Sequence, residues 1–141
     1  FGRKILRESW GIWDREALCA TTERLANSPD DTYPAWDLFR VSNLAQWGYL
    51  AGYVTYPEAL ELVQPAAQGI DQRFSSWQDA YENYLGGWAQ WSGSSGNLYE
   101  TERGKLYLEL RADPKFNALL DDTLFQTGVR PLPSSALSEI K

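Results

Sequence analysis

Asp37, Arg40 and Asn43 recur every third residue in P-A-W-D-L-F-R-V-S-N-L-A-Q-W-G-Y-L-A-G-Y at 34–53, a helix-length segment that is otherwise almost wholly apolar. At about 100° per residue, Trp36, Arg40, Asn43 and Trp47 fall in one narrow stripe, with Asp37 on its margin. Asp37 precedes Arg40 at a helical ion-pair spacing, and the Asn43 amide offers both a donor and an acceptor. The opposite arcs carry Leu38, Phe39, Val41, Ala45, Tyr49 and Tyr53. Burial is therefore expected on both sides, and the guanidinium must find partners. One use of such a group is a polar network that fixes helix packing, and this use is favoured. The other is a pocket walled by Trp36 and Trp47, holding a small planar or anionic ligand through bidentate and stacking contacts.

A second polar group lies at Asp14, Arg15 and Glu16, with Asn83 beside Tyr84 as a candidate fourth member. Helix capping and surface pairing explain the first three, and a structural hydrogen bond explains Asn83. Other chemistries are narrowed by what the chain contains. It has no histidine and a single cysteine, Cys19, so neither a Ser-His-Asp or Cys-His nucleophile system nor a His-containing or multi-thiolate zinc site can be assembled from it. No glycine-rich dinucleotide or phosphate-loop motif is present. Glu58 with Glu61, and Glu100 with Glu102, are carboxylate pairs that read as ordinary helix surface. No metal and no cofactor is expected.

The elements that must position these residues are all helical. Asp14 predicts the cap of a helix at 15–26, with a shorter helix near 3–9 before it. Pro34 suits the first turn of the central helix, 34–53, and Thr55 with Glu58 has capping-box spacing for a helix at 56–72. Pro65 lies inside that last pattern and predicts a kink or a break into two helices. Ser76 and Asp79 frame a helix at 77–91 whose adjacent Gly86 and Gly87 predict the close crossing of a neighbour. S-G-S-S-G at 92–96 is a connector, Asn97 and Glu100 open a helix to about 111, and Asp113-Pro114 begins a last one ending near Asp122. No strand-length alternation or internal repeat interrupts this series.

The chain has 141 residues, 43% hydrophobic and 23% charged, which suits one domain with its own core. Its formal net charge of −6 argues against a phosphate-tracking surface, so no nucleic acid is expected, whereas a protein partner is. No membrane-length apolar run or signal peptide is visible, and Cys19 reads as a small buried hydrophobe in a reducing, cytoplasmic compartment. The chain begins at Phe1 and contains no methionine, so a fragment or processed part of a longer protein is expected.

Three segments together resemble the bacterial domain of unknown function 1266 family: W-G-I-W-D-R-E-A-L at 10–18, W-D-L-F-R-V-S-N-L-A-Q-W-G-Y-L-A-G-Y at 36–53, and S-S-W-Q-D-A-Y-E-N-Y-L-G-G at 75–87. The resemblance ends near Trp91 and implies a bacterial helical domain with no particular activity. The expectation is an all-α, compact single domain at 1–126, five to six helices around the central helix 34–53, with an extended or mobile tail at 127–141. Its best-matched core is 8–91, and its C-terminal helices span 97–122. A non-catalytic protein-interaction module is the expected function, with an effector or immunity system as one setting. An enzyme or small-ligand binder using Asp37, Arg40 and Asn43 is the alternative.

Overall fold

Leu38, Val41, Leu44 and Ala45 recur at helical spacing on α3 (Pro34–Leu50) and are all buried, which makes this helix the axis on which the others pack. Burial of each larger side chain is worth about 1.5–3 kcal/mol, far more than any helix-propensity difference along the segment. The computed structural model describes residues 1–120 together with Asp122 and Phe125. The expected tail at 127–141 and the domain end at 126 lie outside the described residues.

Around α3 stand α1 (Gly2–Trp10), α2 (Arg15–Asn27), α4 (Tyr56–Arg73) and α5 (Trp77–Ser92), each packed directly against it. A short 3-10 turn (Leu98–Glu100), α6 (Glu102–Ala112) and α7 (Pro114–Asn117) complete the order. The fold is all-α, with no strand among the described residues. Leu6 of α1, Leu18 of α2 and Ala80 of α5 join the α3 stripe in one buried cluster.

The local start signals operate as expected. Asp14 Oδ1 accepts the Ala17 N–H at 2.8 Å, the Thr55 and Glu58 side chains form a reciprocal capping box, and Ser76 Oγ accepts the Asp79 N–H at 3.1 Å. Gly86 and Gly87 mark a close crossing: a Cβ at Gly86 would lie 2.5 Å from Tyr33 Cε1, and one at Gly87 would collide with the Trp36 Cβ. Loop and first-turn residues of α3 thus occupy the space that two side chains on α5 would need.

Five expectations are corrected. The central helix ends at Leu50, and it is not buried on both arcs, because Ser42, Asn43, Gln46, Tyr49 and Leu50 are exposed on the side its neighbours leave open. Of the two outcomes expected at Pro65, the break into two helices does not occur, since the donor it removes would have served the carbonyl of exposed Glu61, which water can reach. The helix expected from Asn97 is split: Asn97 caps the 3-10 turn, and Thr101 starts α6 by accepting the Gly104 N–H at 3.1 Å while donating to the Leu98 carbonyl at 2.6 Å. The last helix ends at Asn117, not near Asp122. Cys19 is only half-buried.

Candidate binding site

Asp37 sits in the first turn of α3, where a carboxylate is favoured by the unpaired N–H groups of the helix start. Its Oδ2 accepts the Asp30 N–H at 2.8 Å, and Asp30 in turn accepts the N–H groups of Thr32 and Tyr33 at 3.1 and 2.7 Å. Its Oδ1 accepts from Arg40 Nη2 at 2.5 Å, while Arg40 Nε donates to the Trp36 carbonyl at 3.2 Å. The Arg40 guanidinium carbon is 4.5 Å from the Trp36 ring centroid and 4.9 Å from that of Trp10. Asp37 and Arg40 side chains are 14% and 24% exposed, so the pair is largely enclosed. It fastens α1 to α3.

Asn43 belongs elsewhere. It is exposed and lines a groove of about 400 Å³ between α3, α5 and α6, together with Phe39, Tyr81, Tyr84, Arg103 and Leu106. Trp47 is half-buried against the core and forms no wall beside Arg40. Helical spacing put Trp36, Arg40, Asn43 and Trp47 on one side of α3, but partners divide that side between α1 and the α5/α6 edge.

The second group does not assemble either. Asp14 is an N-cap, Glu16 lies exposed in the first turn of α2, and Arg15 pairs with Glu58, linking α2 to α4. The hydrogen bond from Arg15 is the largest influence holding the Glu58 carboxyl below its usual range, followed by the Thr55 N–H; the same bond raises Arg15. Asn83 serves α3. Tyr33, the residue before that helix, offers no side-chain cap, and Asn83 Oδ1 accepts the Ala35 N–H at 2.9 Å while its Nδ2 donates to the Thr32 carbonyl at 3.0 Å. α5 therefore caps α3 from across the fold.

Arg103 of α6 has the position that sequence reasoning missed. Its guanidinium lies 5.7 Å from the Trp36 ring centroid, 5.4 Å from Trp88 and 5.9 Å from Tyr84, and it donates to the Tyr84 hydroxyl. Arginine and tryptophan thus alternate from Trp10 through Arg40, Trp36 and Arg103 to Trp88. Arg40 is neutralised by Asp37, whereas Arg103 is exposed and makes no ion pair among the described residues. No helical periodicity singles out an exposed arginine in the first turn of a helix, so no sequence signal pointed to it.

The groove's floor is aromatic. Phe39 stacks on Tyr81 at 5.1 Å between centroids, and Tyr81 stacks on Tyr107 at 4.6 Å. Burial raises the phenol pKa of Tyr81 and Tyr107 above the ordinary value. Burial also raises Tyr99, helped by the Glu82 carboxylate that accepts its hydroxyl at 2.6 Å. A second groove, about 410 Å³, shares Phe39 and Ser42 with the first and is lined by Leu38, Val63, Ile70 and Trp77 beside Phe125.

The family described as Protein of unknown function (DUF1266) matches residues 27–119, most of the chain, and the chain belongs to that family. The match extends well past Trp91 and takes in Arg103 and α6, whereas the W-G-I-W-D-R-E-A-L segment lies before its start. No curated protein and no solved structure matches the chain.

Proposed function

We propose that this chain is a non-catalytic protein-interaction domain that docks a segment of a partner protein in the groove between α3, α5 and α6. The observation that carries this reading is the largely apolar lining of that groove by Phe39, Tyr81, Tyr84 and Leu106. Leu106 is 54% exposed at the edge of this groove, and a large apolar side chain held in solvent beside an apolar wall suits an interaction surface. The commitment of Asp37 to Arg40, and of Glu58 to Arg15 and the Thr55 N–H, leaves these carboxylates to hold helices together and supports a binding role over an acid-base one. A bacterial, cytoplasmic setting suits a chain with one free thiol, and a net charge of −6 would suit a basic effector or immunity partner.

The test is affinity capture with the domain in three forms. Wild type and Leu50→Asp, a change at an exposed position at the far end of α3, should retain the same specific partner; Leu106→Asp should lose it. Recovery of the same proteins by Leu106→Asp would refute the groove as the docking site.

A further inference from the structure

We infer that the α3/α5/α6 groove selects a carboxylate adjoining an apolar or aromatic group on the segment it docks, and that Arg103 is the residue that reads the charge; this rests on the groove being the docking site. Three rings, Trp36, Trp88 and Tyr84, lie within 6 Å of the Arg103 guanidinium carbon, and the Tyr84 hydroxyl takes one of its donors. Its side chain is exposed and carries no carboxylate partner among the described residues. A guanidinium has five donors in a planar fork, so such an arrangement leaves donors directed at solvent and prearranged for a carboxylate. Contact with aromatic faces lowers the rotamer entropy that an arginine loses on binding.

The surroundings determine what accompanies the carboxylate. Beside Arg103 the groove is walled by Phe39, Tyr81, Tyr84 and Leu106, and a volume of about 400 Å³ accommodates an apolar side chain or ring. The exposed Asn43 amide adds one donor and one acceptor to the same wall, suited to the backbone of an extended segment. The contrast with Arg40 argues against a purely structural role for the Arg103 charge. Arg40 has the same tryptophan contact but also a carboxylate within its own helix, whereas Arg103 has the aromatic support and lacks the acid. The acid is the part left for a partner to supply.

The test compares 1-naphthoate with its neutral near-isostere 1-naphthamide by calorimetric titration of the intact domain. Naphthoate should bind about tenfold more tightly than the amide, as expected for one charge-assisted bidentate contact. Arg103→Gln should abolish the preference by weakening naphthoate binding far more than amide binding, and Arg103→Lys should retain part of it. Equal affinities in the wild type would overturn the charge-reading role and leave the apolar groove standing. Binding of neither probe, or a naphthoate preference that survives in a folded Arg103→Gln variant, would also overturn it. The wild-type comparison is decisive even if the substitution disturbs α6, because it uses no variant.

Discussion

At the scale of single residues, three polar side chains on one helix have two different kinds of work. Arg40 is held by Asp37, by the Trp36 carbonyl and between two indole rings, whereas Asn43 stands exposed one turn later. Replacing Arg40 with Met removes a charge-assisted hydrogen bond and two cation–π contacts and leaves a largely enclosed carboxylate unpaired. Stability should fall by about 2–3 kcal/mol. Asn43→Ala removes nothing the fold uses and should stay within about 0.5 kcal/mol of wild type. Urea denaturation of the two variants measures both, and equal destabilisation would contradict the division of roles. The Asp37–Arg40 pair was legible in the sequence because its spacing is local. The assignment of Asn43 was not, since an exposed groove and an enclosed pair can share one helical stripe and differ only in the neighbouring helix each residue meets. Trp10, which completes the Arg40 sandwich, arrives from α1 and leaves no mark in the α3 pattern.

At the scale of elements, the helix starts were readable because a cap is a contact between residues three apart. Asp14, Thr55 with Glu58, and Ser76 with Asp79 all act where their spacing placed them. The division before α6 was not readable, because Asn97 and Thr101 are both competent caps, and the choice depends on how Thr101 bonds back to Leu98. The α3 start was also hidden, as its cap comes from Asn83 on another helix. The Gly86–Gly87 crossing supplies a prediction in which two effects have opposite signs. Propensity alone makes Gly87→Ala stabilising by about 1 kcal/mol in a helix interior. The new Cβ would collide with the Trp36 Cβ and lie 3.0 Å from the Tyr33 Cβ, atoms fixed by the backbone of α3 and the residue before it. Overpacking of this kind costs about 1–3 kcal/mol, so the net change should be destabilising. A melting temperature above wild type would show that α3 and α5 are free to separate.

At the scale of the whole molecule, the helices around α3 bury aliphatic side chains, whereas the 3-10 turn and α6 join α5 largely through tyrosines. Tyr81 stacks on Tyr107, Tyr107 lies 6.2 Å from Tyr99, and the Tyr99 hydroxyl donates to Glu82. This seam was not legible in the sequence, because Tyr81, Tyr99 and Tyr107 belong to three separate elements and no single periodicity links them. It has a pH signature whose direction follows from the raised phenol pKa values, chiefly the effect of burial. An unfolded tyrosine ionises near pH 10. A phenol raised above that in the folded state contributes stability that is fully present below about pH 10 and is lost as pH rises through its folded value. The α5–α6 seam should therefore weaken at alkaline pH before the aliphatic interior does. Near-UV circular dichroism should decline ahead of the far-UV signal, with tyrosinate absorbance of these three residues appearing above the pH at which a free tyrosine ionises. Tyr107→Phe keeps the stacked ring and removes one ionising group, so its near-UV transition should move to higher pH. An unshifted transition in that variant, or simultaneous loss of both signals, would show that tyrosine ionisation does not control how α6 is held. Because Arg103 rides on α6, the naphthoate preference should disappear along the same alkaline transition, tying the groove's selectivity to the seam that positions it.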